Sequence, residues 1–280
     1  MNRSMITATN TLAQLQKQMD IISNNMANVD TNGFKRREVQ FTDLLVHEFQ
    51  NQRKADAETN RLTPNFIRQG TGAKLGQVQL NMTQGSIKPT ERSLDTAFTK
   101  EGQFYRVLVQ NENESEIQYT RNGALYLSPI SDTELMLVNA DGHPILDENN
   151  QQIIVSGDAK DFTITENGSF FAKSPNGREQ SYNLGVVQVN KPQFLEQKGN
   201  NLLGLPANFA ELGVTVDEIL TALNGPQRGQ IGINQRALEQ SNVDMSKEMT
   251  QLMNVQRSYQ FQARSITISD QMMGLVNGIR

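Results

Sequence analysis

Apolar residues return every three or four positions near the start of the chain. Met5, Ala8, Leu12, Leu15, Met19, Ile22 and Met26 fall on one stripe, and neither Pro nor Gly interrupts the run until Gly33. That period predicts a helix over 5–28. The turn formers Asn28-Val29-Asp30-Thr31-Asn32-Gly33 predict where it stops. The far end repeats the design. Met245, Met249, Leu252, Val255, Tyr259, Ala263, Ile266, Met273 and Val276 predict a helix over about 244–277, with cap candidates in Ser241-Asn242-Val243-Asp244. Both stripes run close to a heptad, the spacing with which one helix seals against another.

Between the helices the period changes. Residues 36–85 are polar with scattered apolar positions and then a Gly-punctuated stretch, which predicts an extended connector. Beyond it, Phe104–Val109, Leu135–Val138, Gln152–Val155 and Gly185–Val189 are short apolar runs that predict strands. Asn122-Gly123, Asp141-Gly142, Asn167-Gly168 and Asn176-Gly177 predict hairpin-type turns or bulges. Strands with no βα alternation predict an antiparallel, all-β domain. The expected fold is therefore α+β: terminal helical segments 1–35 and 236–280 packed as a coiled-coil-like pair, a connector at 36–85, and an inserted β-rich domain at 86–235.

Composition narrows the chemistry. The 280 residues contain no Cys or Trp and two His, which excludes disulfides, thiolate metal sites and thiol catalysis and leaves little for a His-based site. Asp141-Gly142-His143-Pro144 with Asp147-Glu148 lacks calcium-loop spacing and predicts a turn. Gly70-Thr71-Gly72-Ala73-Lys74-Leu75-Gly76 places Leu75 where a dinucleotide fingerprint needs its third glycine, so a loop or bulge is expected there. No catalytic, cofactor-binding or metal site is expected. Net charge is −4, without basic blocks, which argues against a nucleic-acid partner; Lys35-Arg36-Arg37 reads as a solvated or interface cluster. No apolar run approaches the ~18 residues of a membrane span, and MNRSMITATNTLAQ lacks the apolar core of a secretory signal.

Roughly one residue in five is Asn or Gln, and over 12–29 the only charges are Lys17 and Asp20. Helices solvated on one side usually carry many charges. An amide face instead tolerates protein on several sides, without repulsion between stacked copies. Each buried stripe residue contributes ~1.5–3 kcal/mol, whereas every backbone ordered costs ~1–2 kcal/mol. One stripe residue in three or four does not offset that cost, so the N-terminal helix needs neighbours.

Ser23-Asn24-Asn25-Met26-Ala27-Asn28-Val29-Asp30-Thr31-Asn32-Gly33-Phe34-Lys35 resembles, over all thirteen positions, the N-terminal signature of flagellar rod and hook proteins. Leu238-Glu239-Gln240-Ser241-Asn242-Val243-Asp244, Glu248-Met249 and Gln256-Arg257-Ser258-Tyr259 resemble the family's C-terminal signature. Gly85-Ser86-Ile87, Leu94-Asp95-Thr96-Ala97, Gly102-Gln103-Phe104 and Tyr119-Thr120-Arg121-Asn122-Gly123 are similar to its central stretch, whereas Phe98-Thr99-Lys100-Glu101 departs from it.

The resemblance implies a structural subunit, expected in the distal rod, that leaves the cytoplasm through the flagellar type III export apparatus without a cleaved signal. It would polymerise with itself and with other rod and hook subunits into a hollow, torque-transmitting tube of the basal body, its terminal helices lining the inside. Subunit contacts are expected at Leu12, Leu15, Met19, Ile22, Asn24, Asn25, Met26, Asn28, Gly33 and Phe34, and at Ser241, Asn242, Val243, Met249, Leu252, Tyr259 and Ile266. A proximal-rod or hook subunit is the alternative within the family. A wall hydrolase using paired carboxylates within 86–225 and a soluble coiled-coil adaptor are alternatives of other classes.

Overall fold

The computed structural model describes residues 3–43, 46–50, 66–70, 73–110, 115–206 and 213–278. Parts of the expected connector (44–45, 51–65 and 71–72), and with them Thr71 and Gly72, lie outside the described residues. The chain divides into two compact units. The first holds Met1–Met26, Arg37–Val78 and Met245–Arg280; the second holds Ala27–Arg36 and Gln79–Asp244.

In the first unit α1 spans Arg3–Ala27. The described part of the expected extended connector carries strands, and Ala73–Gly76, expected in a loop or bulge, lies in the last of them: β1 (Arg37–Asp43), β2 (Val46–Gln50), β3 (Phe66–Gly70) and β4 (Ala73–Leu80), whose final two residues belong to the second unit. They form two antiparallel or paired ribbons, β1 with β4 and β2 with β3. On α1, Ala8, Ile22 and Asn25 are buried, and Met5, Leu12, Leu15, Met19 and Met26 are half-buried. The C-terminal helix, Met245–Gly278, buries Glu248 and Val255 and half-buries Leu252, Tyr259 and Ile266, whereas Met245, Met249, Met273 and Val276 are exposed. Thr9, Thr11, Thr250, Ser258, Ser265 and Thr267 turn their hydroxyls back onto the carbonyl four residues earlier, so helical backbone satisfies these six hydroxyls. Among the described residues no helix is long and apolar enough to cross a membrane.

The second unit adds β5 (Ile87–Pro89), β6 (Thr96–Phe98), β7 (Gln103–Gln110), β8 (Ser115–Thr120), β9 (Tyr126–Ser131), β10 (Glu134–Val138), β11 (Ile154–Ser156), β12 (Asp161–Ile164), β13 (Ser169–Lys173), β14 (Glu179–Asn183), β15 (Val186–Val189), β16 (Glu196–Gly199) and β17 (Leu202–Gly204). A single-turn α2 (Val216–Ile219) then precedes β18 (Leu220–Ala222), β19 (Ile233–Gln235) and β20 (Ala237–Glu239). The main sheet runs β16-β17-β8-β7-β15-β18. Both faces of β7 and β15 are covered, which is why their sequences read as continuous apolar runs. Tyr105, Val107 and Val186 enter one core with Leu137, Ile153 and Phe170, while Phe104, Val187 and Val189 enter another with Leu203 and Ile219.

Gly142, Gly168 and Gly177 take positive φ in tight turns as expected, and the side chain of Asn139 builds the first by accepting from the amides of Asp141 and His143. Gly123 differs. A Cβ there would lie 1.8 Å from the carbonyl oxygen of Thr96, so it marks a close backbone crossing and not a hairpin turn.

Burial holds the phenols of Tyr105, Tyr119 and Tyr182 above the usual tyrosine range; Tyr105 also donates to Thr96 Oγ1. Above pH ~10 the unfolded chain ionises these groups while the folded one keeps them protonated, so their contribution to stability is lost as pH rises further. Tyrosinate absorbance is expected to rise in step with loss of the native circular dichroism. Tyr105, Tyr119 and Tyr182 ionising in the ordinary tyrosine range in a chain that stays native would contradict this.

Candidate functional site

Three stretches distant in sequence meet inside the second unit. Gly33 turns with φ +71 and donates its amide to the carbonyl of Glu239 at 2.8 Å. A Cβ on Gly33 would lie 2.6 Å from the backbone of Arg121, so both the conformation and the space exclude a side chain. Gly33→Ala is expected to cost at least ~2 kcal/mol, combining left-handed strain with overpacking. Gly142→Ala, at φ +84 with open surroundings, should cost visibly less in the same denaturation experiment.

The Glu239 carboxylate, 2% exposed, is the hub. Oε1 accepts from Lys35 Nζ at 2.7 Å and from the Gly85 amide at 2.9 Å, and Oε2 accepts from Arg121 Nε. Arg121 spends its other nitrogens on the carbonyls of Gln103 and Lys100 and lies over the Phe98 and Phe104 rings. Lys35 also donates to the Thr83 carbonyl. Two cations thus face one anion. Burial first, then the Arg121 charge, hold the Lys35 ammonium below the usual lysine range against the pull of Glu239. Lys35 and Arg36 are buried, so of the two readings of the cluster, solvated or interface, the solvated one does not hold for them.

Two asparagines hold backbone in the manner of a strand. Asn242 Oδ1 accepts from the Arg36 amide at 2.7 Å, and its Nδ2 donates to the carbonyls of Asn81 and Thr83. It is a tie within the second unit and makes no cap to the helix that follows. In the first unit Asn25 accepts from the Arg37 amide, donates to the Arg37 carbonyl, and reaches Glu248 Oε2 at 3.2 Å. A side-chain amide matches the donor and acceptor of one peptide unit, which is why Asn suits both positions.

Three family models match the chain: "Flagella basal body rod protein" over 5–35, "Flagellar hook protein FlgE/F/G D1 domain" over 104–172, and "Flagellar basal body rod FlgEFG protein C-terminal" over 234–279. The chain is also 42% identical to the flagellar hook-basal body complex protein FlhP of Bacillus subtilis (strain 168), with 100% of both chains covered. The chain belongs to the flagellar basal-body rod and hook protein family.

The flagellar basal-body rod protein FlgG of Agrobacterium fabrum is 30% identical, with 97% of each chain covered. FlgG of the same Bacillus subtilis strain is 29% identical, over 98% of this chain and 97% of that one. On this flagellar chain the expected assembly residues separate into two groups. Asn28, Gly33, Phe34, Ser241, Asn242 and Val243 belong to the second unit, where Phe34 and Val243 are buried and Asn28 accepts from Thr31. Leu12, Leu15, Met19, Ile22, Asn24, Asn25 and Met26 belong to the first unit with Met249, Leu252, Tyr259 and Ile266. Arg121, Glu239 and Asn81 were not among the expected site residues. Arg121 and Glu239 lie within the quoted family motifs, and a buried ion pair leaves no periodic trace that would single them out.

Proposed function

We propose that this chain is an axial structural subunit of the flagellar basal body, placed in the distal rod and reaching it through the flagellar type III export apparatus. Its two long helices pair through their heptad lines and line a hollow, torque-transmitting tube built with other copies and with neighbouring rod and hook subunits. Residues 86–235 face outward and 36–85 connect them to the helices. The observation that carries this reading is the matched burial on the helices. On α1 Ala8 and Ile22 are buried with half-buried Leu15 midway between them at seven-residue intervals, and on the C-terminal helix Leu252, Tyr259 and Ile266 are half-buried at the same interval, beside buried Glu248 and Val255. Asn25 bonds Glu248 across the two helices. The near-full-length likeness to basal-body rod proteins named FlgG supports a place in the rod. The higher identity to FlhP than to FlgG of one organism, 42% against 29%, favours a second reading as a separate hook-basal-body subunit beside a FlgG.

Hydrogen exchange on the dilute monomer and on isolated basal bodies tests the proposal. Residues 10–26 and 245–278 should exchange freely in the monomer while 86–225 is protected, and become protected in the basal body. Strong protection of 10–26 in a proven monomer, or absence of the chain from basal bodies, would overturn it.

A further inference from the structure

The segment Asn32–Arg36 behaves as a peptide seated in a recognition cleft. It belongs to the second unit, yet the chain on either side of 27–36 belongs to the first, so the second unit receives it as a strap from a different part of the fold. Its hold is made of discrete bonds and one anchor. Asn201, itself at φ +57, donates to the Asn32 carbonyl at 3.0 Å. Gly33 donates to Glu239, and the Arg36 carbonyl accepts from the Asn81 amide at 2.8 Å. Phe34 is 2% exposed, and Leu80, Phe104 and Leu203 line the same recess; Lys35 ends on the Glu239 carboxylate. An apolar anchor beside a paired cation, with backbone bonds flanking them, is how extended peptides are recognised.

We propose that this cleft is a peptide-binding site that accepts the Asn32–Arg36 strap of a second copy of the chain in place of its own. Every bond above is chemically identical when the strap comes from another copy, so exchange changes connectivity without changing contacts. In dilute solution the tethered strap wins because its effective concentration is high. Where copies are crowded, as between neighbours in an assembly, that advantage shrinks and the same cleft links subunits. The cleft does not require the tube reading, because it is tested on soluble chains.

The probe is a fluorescein-labelled peptide of residues 28–37, and the receptor is the full chain carrying Phe34→Ser and Lys35→Ser, which removes the apolar anchor and the paired cation of the chain's own strap and leaves the walls of the cleft intact. Fluorescence anisotropy should show saturable binding at least about tenfold tighter than to the unaltered chain, whose own strap competes. A peptide with Ala in place of Lys35 should bind about tenfold or more weakly still, as loss of a charged hydrogen bond requires. Equal affinity for both chains, or no binding by a variant that keeps its native circular dichroism, would overturn the proposal. If the variant is unfolded, the same signal is followed as peptide is added: recovery of the native spectrum supports the cleft, and no recovery overturns it.

Discussion

Glu239→Gln is expected to lower the unfolding free energy of the second unit by ~3–5 kcal/mol, the cost of leaving buried charge uncompensated. The substitution keeps size and shape but removes the one anion that, among the described residues, bonds both Lys35 and Arg121, whose side chains are 3% and 0% exposed. Arg121 does not shed its proton, so its charge must be carried without a partner. Lys35→Met should cost less, because burial and Arg121 already oppose the Lys35 charge and the Arg121–Glu239 pair survives it. Urea unfolding followed by circular dichroism measures both. Equal, small losses for the two variants would contradict the hub role of Glu239.

Ile22→Asp is expected to abolish motility while leaving the second unit folded. Ile22 is 3% exposed on α1, one heptad from Leu15, and an aspartate there puts an unpaired charge into the proposed helix–helix seam at a cost of several kcal/mol. The second unit contains nothing before Ala27, so its delayed tyrosine ionisation should be unchanged. Swarming motility and the alkaline titration together read the two halves. Normal swarming would contradict the role of the seam in assembly, and early tyrosine ionisation would contradict the independence of the second unit.

Elements with a strict period were legible in the sequence. The predicted 5–28 helix matches Arg3–Ala27, and Phe104–Val109 and Leu135–Val138 fall within β7 and β10, because one period repeated over several residues survives whatever packs against it. The described strands of the connector were not legible. Ribbons of two strands bury little, so β1 and β4 carry polar residues whose sequence reads as an extended connector without assigned strands. Polar sites were legible as motifs and illegible as geometry. The first motif predicts Gly33 at a turn, but nothing in it says that Lys35 ends on a carboxylate 204 positions later. Runs such as Lys35-Arg36-Arg37 look solvated until the partner is known. Asn242 looked like a helix cap for the same reason: capping and strand-mimicking asparagines differ only in which backbone arrives beside them.

Electron cryomicroscopy of isolated hook-basal bodies, with this chain traced in the map, tests the central claim most directly. Residues 5–27 and 245–278 should form paired helices lining the lumen of the axial tube, with the β-rich unit outside them. A map in which this chain lies outside the axial tube, or in which its terminal helices contact neither each other nor the lumen, would contradict the account.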